Sequence, residues 1–183
     1  WQQVIDAEDT HDVDVVNGDQ LLVAHMRNYD DEDGVNRDRI FVYDRGDDEV
    51  VWEWQFRDHF PESAGSDYTH DWTHVNDVDK IGPGRYLASP RNFDQVIVVN
   101  RSTKEIELRL GADGALGTLH EQHNPMYLET DDGRPTILVA DSENDRVVEY
   151  TCTAVTGGEC EWELIWEVGE DQLNWPRDAD RLP

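Results

Sequence analysis

Lysine is almost missing from this chain: Lys80 and Lys104 are the only two. All basic residues together number 15 against 42 acidic ones, giving a formal charge of -27. Neutralising phosphates takes a basic face, so a nucleic-acid partner is excluded. The 183 residues show no apolar run of membrane-spanning length and no leader pattern. Because the chain opens at Trp1 without an initiator methionine, it reads as a piece of a longer protein, with any membrane anchor outside this segment. No stretch keeps a helical period. Cysteine is down to Cys152 and Cys160, which bracket an expected hairpin turn over Thr153 to Glu159. A cross-hairpin disulfide, pointing to an oxidising setting, and two free thiols both fit that spacing.

What is abundant is acid. An acidic surface with Arg in place of Lys keeps a folded protein hydrated where salt screens its self-repulsion, the Debye length being about 3 Å at 1 M salt. This composition predicts a halophilic, archaeal source. A disordered acidic tail or a polyanion mimic is the alternative, but seven tryptophans and no long single-sign block argue for a folded domain.

A unit recurs along the chain. His11-Asp12-Val13-Asp14 leads into Leu22-Val23-Ala24, His74-Val75-Asn76-Asp77 into Leu87-Ala88-Ser89, and His123-Asn124-Pro125-Met126 into Leu138-Val139-Ala140. A fourth opening, Arg177-Asp178-Ala179-Asp180-Arg181-Leu182, has arginine where the others have histidine. Ala24, Ala88 and Ala140 stand 64 and 52 residues apart, near the period of propeller blades. Each copy continues with a β-branched run (Ile40 to Tyr43, Val96 to Val99, Val147 to Tyr150) and then an alternating run (Val50 to Trp54, Ile106 to Leu110, Glu161 to Trp166). Asn17-Gly18, Gly82-Pro83-Gly84 and Gly157-Gly158 mark turns.

Four strands per unit in meander order predict an all-β fold, a β-propeller of four-stranded antiparallel blades. The units fall at about 9–57, 72–111 and 121–169, with a further blade starting over 175–183. Three blades and a start do not close a ring, so the remaining blades are expected in a longer polypeptide or another chain. A small β-sandwich is the alternative that length allows. Histidines leading equivalent inner strands would converge on one axis.

Several spaced motifs carry a resemblance. Asp71-Trp72-Thr73-His74-Val75-Asn76 holds a His-x-Asn, Ser89-Pro90-Arg91 a Ser-x-Arg, Glu121-Gln122-His123-Asn124 a Gln-His, and His11-Asp12 a His-Asp. In this order they resemble the arylsulfotransferase family, whose members transfer sulfuryl groups without a nucleotide sulfate donor. The resemblance implies a six-bladed propeller with its active site in the central channel, no cofactor and no metal ion. It implies a small-molecule aryl sulfate as donor and a phenol as acceptor, and a ping-pong reaction through a sulfohistidine. By position His123 would be the nucleophile, His74, Asn76 and Arg91 would surround the sulfuryl oxygens, and His11 would line the same channel.

Those residue types suit the chemistry independently. A neutral imidazole is nucleophilic at working pH, a covalent intermediate splits one difficult displacement into two, and an Arg fork with an Asn amide supplies fixed donors to the sulfuryl oxygens. A second imidazole can give a proton to the leaving phenolate or take one from the incoming phenol. The period of two puts His74 and Asn76 on one strand face. Blander readings compete: His11 bonding a neighbouring blade, Arg91 in a surface ion pair, His123 as a structural histidine. His25, His59, His70 and His120 read as solvent or loop residues. Arg177 would give the channel a cation or nothing. Asp30-Asp31-Glu32-Asp33-Gly34 misses the calcium-loop spacing, because Tyr29 falls on the first ligand position, and reads as an acidic surface insertion. The competing functions are a non-catalytic binding or scaffold propeller of a cell-surface assembly and a metal-dependent lactonase.

Overall fold

The computed structural model of the chain describes residues 4–5, 7–156, 159–169 and 172–181. The expected Gly157-Gly158 turn and Leu182 of the fourth opening lie outside the described residues. Among them there is no α-helix, only 3-10 turns at Phe56–Asp58, Arg91–Phe93 and Ser142–Asn144.

Three four-stranded antiparallel meanders make the fold. The first blade runs β1 (Thr10–Val16), β2 (Gln20–His25), β5 (Arg39–Asp44) and β6 (Glu49–Gln55). A small hairpin, β3 (Tyr29–Asp30) with β4 (Val35–Asn36), is inserted between β2 and β5. The second blade runs β7 (Val75–Gly82), β8 (Arg85–Pro90), β9 (Gln95–Asn100) and β10 (Ile106–Gly111). The third runs β11 (His123–Glu129), β12 (Pro135–Asp141), β13 (Arg146–Thr156) and β14 (Glu159–Val168). The architecture is that of propeller blades, as the repeat predicts.

Side chains alternate across each strand, so each blade has two faces to cover. Leu22, Ala24, Ile40 and Val42 of the first blade share a core with Tyr86, Ala88, Ile97 and Val99 of the second. The second blade turns Leu87, Val96 and Val98 the other way, onto Ile137, Val139 and Val148 of the third. A sheet buried on both faces needs apolar residues at every position, which is why β9 reads Val96-Ile97-Val98-Val99 without alternation. Each such side chain fully buried is worth about 1.5–3 kcal/mol, so these two seams dominate the packing. Indole N–H groups tie the seams at their outer ends: Trp52 donates to the Arg101 carbonyl at 2.9 Å and Trp162 to the Arg109 carbonyl at 2.5 Å. On the outer faces, Ile5 and Ala7 lie on Val23, Phe41 and Tyr43, and Leu173 and Ala179 on Leu138, Ala140 and Val147.

The innermost strands β1, β7 and β11 lie side by side, β7 in the middle. Each begins with the same irregularity: one extra residue against the second strand, between Thr10 and Val13, Val75 and Val78, and His123 and Met126. Such bulges re-aim side chains at strand ends, and here they sit where the repeat's histidines stand.

Two sequence expectations change in detail. Cys152 and Cys160 are disulfide-bonded, with Cα atoms 5.4 Å apart, but β13 runs on to Thr156, so the turn is shorter than Thr153 to Glu159. The cysteines are not directly opposite, since Cys152 pairs with Trp162 and Cys160 with Val155 in a ladder that slips between them. The acidic insertion is the β3–β4 hairpin. Asp30 caps it by accepting from the backbone N–H groups of Glu32 and Asp33 at 2.9 and 3.1 Å, and it pairs with Arg37 at 2.9 Å.

Candidate active site

Where the inner strands begin, a cavity of about 560 Å³ opens to solvent. His11, His74, Asn76, Arg91 and His123 all line it, together with Arg27, Asn124, Trp175, Arg177 and Asp178. The sequence placed His74 on a strand with Asn76; instead His74 stands one residue before β7 in a left-handed conformation, φ 43°. The turn and the bulge, rather than strand alternation, bring both to one cavity. Arg27 (φ 52°), Asn124 (φ 42°) and Trp175 (φ 51°) share that backbone region. It is uncommon for residues with a Cβ and tends to mark sites where surrounding structure over-determines the backbone.

Carboxylates from the preceding blade fix each entry to the cavity. Buried Asp38 accepts from the Thr73 hydroxyl at 2.7 Å and its N–H at 3.3 Å. Asp94 accepts from the Glu121 N–H at 3.0 Å, and Asp145 from the Trp175 N–H at 2.8 Å. Of the motif residues, Ser89 and Gln122 are scaffold. The fully buried Gln122 amide donates to Ser89 Oγ at 3.0 Å and to the Gln95 carbonyl at 2.7 Å, pinning the third blade's opening to the second.

His11 and His74 face each other, Nε2 to Nε2, at 3.1 Å. The Asp71 carboxylate lies 2.8 Å from His74 Nδ1. A carboxylate only accepts, so His74 Nδ1 carries hydrogen. Burial holds the His74 pKa below the ordinary imidazole value, with Asp71 opposing and Arg91 and His11 reinforcing. Neutral His74 therefore presents a bare Nε2, and the proton between the two rings belongs to His11. Burial pushes Asp71 up, but hydrogen bonds from Arg27 and His74 outweigh it and leave the carboxyl lower than usual.

His123 Nδ1 is 2.7 Å from Ser142 Oγ, and that hydroxyl is 2.7 Å from the Pro176 carbonyl. Ser142 has one hydrogen and the carbonyl can only accept it. The hydroxyl therefore accepts from His123 Nδ1–H, which leaves Nε2 with its lone pair free. Burial, then repulsion from Arg91 and Arg177, pushes the His123 pKa down to about 4. The ring is thus a neutral nucleophile at neutral pH, with its reactive nitrogen selected by a hydroxyl.

Arg91 is ion-paired with Glu121, as the blander reading of it allowed, yet it still faces the cavity. Its Nε is buried without a partner. Asn76 gives one N–H to the Gln122 carbonyl at 2.8 Å, and its Oδ1 is likewise unpartnered. A second cavity of about 260 Å³ adjoins the first through Asn124 and Asp178 and is walled by Asp77, Asp79 and Asp180. There burial and neighbouring carboxylates raise Asp77 to about 8 and Asp79 to about 6.

The remaining histidines lie elsewhere. His25 is a correction: it is buried at the end of β2, edge-on to Phe41, because strand β2 continues through it. His59 is half-buried and stacks on Trp54 at 4.4 Å, so it is no free loop residue either. His70 is exposed, and His120 is held outside the cavity by its backbone, its N–H on Asp141 at 2.6 Å. Sequence reasoning missed Arg27, Asn124, Ser142 and Trp175. Ser142 carried a signal, because it follows Leu138 by four residues as Arg91 follows Leu87, and both open the 3-10 turn after their blade's second strand. Among the described residues no three His, Cys, Asp or Glu side chains are arranged to hold one metal ion.

A search of curated proteins finds no match to the chain. A family model described as Arylsulfotransferase (ASST) matches residues 3–167, a span that takes in all three blades. With its blades and a cavity gathering the repeat's histidines, the chain belongs to the arylsulfotransferase family.

Proposed function

We propose that the protein transfers a sulfuryl group from an aryl sulfate ester to a phenolic acceptor through a sulfohistidine on His123, using no nucleotide sulfate donor. Nε2 of His123 attacks sulfur, an N–S bond forms and the S–O bond to the aryl group breaks. The phenolate takes a proton from the His11–His74 pair, which acts as general acid in its singly protonated form and is left as two neutral rings. In the second half the pair accepts the proton of the incoming phenol, whose oxygen attacks sulfur, and the N–S bond breaks to free His123. Arg91 and the second N–H of Asn76 serve the sulfuryl oxygens, as donors fixed before the reaction. The Asp71 carboxylate orients His74 and stabilises it as it gains charge.

One observation carries this reading: a half-buried imidazole of depressed pKa, with its Nε2 lone pair free, lies in the same cavity as a proton-sharing imidazole pair and arginines. The setting is proposed as a salt-rich, extracellular or cell-surface one of a haloarchaeal type, supported by the charge of -27 and the disulfide. Further blades are proposed to complete a six-bladed ring, in keeping with the exposed Leu164, Ile165 and Trp166 on the third blade. The test is incubation in high salt with 4-nitrophenyl sulfate and a phenol. Expected are nitrophenol release, sulfated acceptor and a sulfuryl mass on the His123 peptide. Folded protein with neither turnover nor label refutes the transfer and favours a binding propeller.

A further inference from the structure

Arg177 stands alone in its electrostatics. Arg27 and Arg91 come just after the second strands of the first two blades, and Glu143 stands in the 3-10 turn after the third's. Just ahead of the next inner opening come Asp71, Glu121 and Trp175. In the first two repeats such an arginine pairs with an acid ahead of the next opening, Arg27 with Asp71 at 3.0 Å and Arg91 with Glu121. In the third the pattern changes. Glu143 accepts from the Trp175 indole N–H at 2.9 Å, and Trp175, its backbone N–H held by Asp145 as that of Glu121 is held by Asp94, puts an aromatic ring where the second repeat has its neutralising acid.

That ring carries Arg177. Its guanidinium carbon lies 3.6 Å from the Trp175 centroid, a cation–π contact that holds the planar fork flat. Trp175 is itself fixed from three sides, by Asp145 on its backbone N–H, by Glu143 on its indole, and by the edge-on ring of His123 at 6.0 Å. Arg177 follows Trp175 by two residues just as His123 follows Glu121, and both carboxylate-capped entries deliver the residue to the same cavity. Arg177 is exposed there and makes no ion pair or hydrogen bond with any of the described residues, although the chain has 42 acidic residues. A cation stacked on an indole with its fork unused, in a protein of such negative charge, is a binding site for an anion.

We propose that Arg177, held on Trp175, grips the oxygens of the transferred sulfuryl group beside Arg91, whose charge Glu121 already offsets. The proposal rests on the sulfuryl-transfer reading for its substrate, and on the unpaired fork for its anion site. Planar donors from Arg177 fit two oxygens of a tetrahedral sulfonyl group. The fourth opening thus contributes a charge where the other units contribute imidazoles.

The test titrates the whole protein with inorganic sulfate at constant ionic strength by calorimetry, comparing Arg177→Gln, Arg177→Lys and Arg91→Gln, with melting curves to establish folding. Wild type should bind sulfate. Arg177→Gln should weaken binding roughly 10- to 100-fold, the loss of a charge-assisted hydrogen bond, and Arg177→Lys should recover part of it. Arg91→Gln should cost less. Unchanged sulfate affinity in folded Arg177→Gln, a larger loss in Arg91→Gln, or no sulfate binding by wild type overturns the proposal. Arg177-dependent sulfate binding without aryl sulfate turnover would leave the anion site standing and remove the transfer reaction. If wild type turns over, kcat/KM for 4-nitrophenyl sulfate should follow the same order as sulfate affinity.

Discussion

Replacing Asp77 by Asn should stabilise the protein, and by an amount that depends on pH. Asp77 lies on β7 and is 8% exposed, with Oδ2 unpartnered. Burial, then the charges of Asp79, Asp12, Asp14 and Asp178, raise its pKa from 3.8 to about 8. Each unit is worth about 1.4 kcal/mol. At pH 7 the fold must therefore hold a proton that the unfolded chain has given up over roughly three units, an upper bound of about 4 kcal/mol. Relaxation and salt screening reduce this, so a gain of about 2 kcal/mol for Asp77→Asn is expected, or about 4–8 °C in Tm for a chain of this length. A raised carboxyl pKa favours the fold fully below pH 3.8, and that favour is lost as pH climbs to about 8. The advantage of the variant should thus be near zero at pH 4, grow through pH 6 and level off above pH 8. Melting curves of both proteins at these pH values measure it. A pH-independent difference, or a variant less stable at pH 8, would refute the assignment of Asp77 as a buried, protonated acid.

Activity should follow the neutral form of His123. With its pKa near 4, turnover of an aryl sulfate is expected to hold down to about pH 5 and fall below it; a loss centred at 6.5 would mean that burial does not act on this ring. Ser142→Ala removes the acceptor that selects the His123 tautomer. It should lower kcat about 5- to 10-fold with KM little changed, about 1 kcal/mol, and Ser142→Thr should restore the rate. An Ala variant at full rate would sink that role. Joint replacement of Cys152 and Cys160 by Ser should cost about 2–3 kcal/mol, since the bridge closes a loop with a sequence separation of eight; identical melting of the oxidised and reduced protein would contradict it.

The fold was legible because each blade repeats one signal. Val96 to Val99 announces a strand covered on both sides, Val50 to Trp54 one with a wet face, and Leu22, Leu87 and Leu138 mark the second strand of every blade, whereas Ala88 faces the preceding blade and so is out of register with Ala24 and Ala140. The gathering of His11, His74, Asn76, Arg91 and His123 about one cavity follows from that repetition, because equivalent positions in neighbouring blades share an axis. What was hidden depends on the third dimension. The left-handed turn that places His74 has no glycine to betray it. The burial of His25 depends on Phe41 from the neighbouring strand. The choice of tautomer at His123 runs through Ser142 to the carbonyl of Pro176, which is 34 residues further along the chain.

An anion site in a protein charged at -27 requires that nearby acids be kept from spoiling it. The cavity does this by giving three of the acids around it another occupation. Asp71 is spent on Arg27 and His74, Glu121 on Arg91, and Glu143 on the indole of Trp175. Beyond Asn124, the raised pKa of Asp77 keeps a proton on the most enclosed acid of the adjoining cavity, so it withholds its charge at neutral pH. The cavity guanidinium left without an ion pair among the described residues is that of Arg177, near the neutral ring of His123. Attraction and nucleophile are thereby separate groups: were His123 itself the cation, it would hold an anion well and attack nothing, and burial, reinforced by the repulsion from Arg91 and Arg177, is what prevents that.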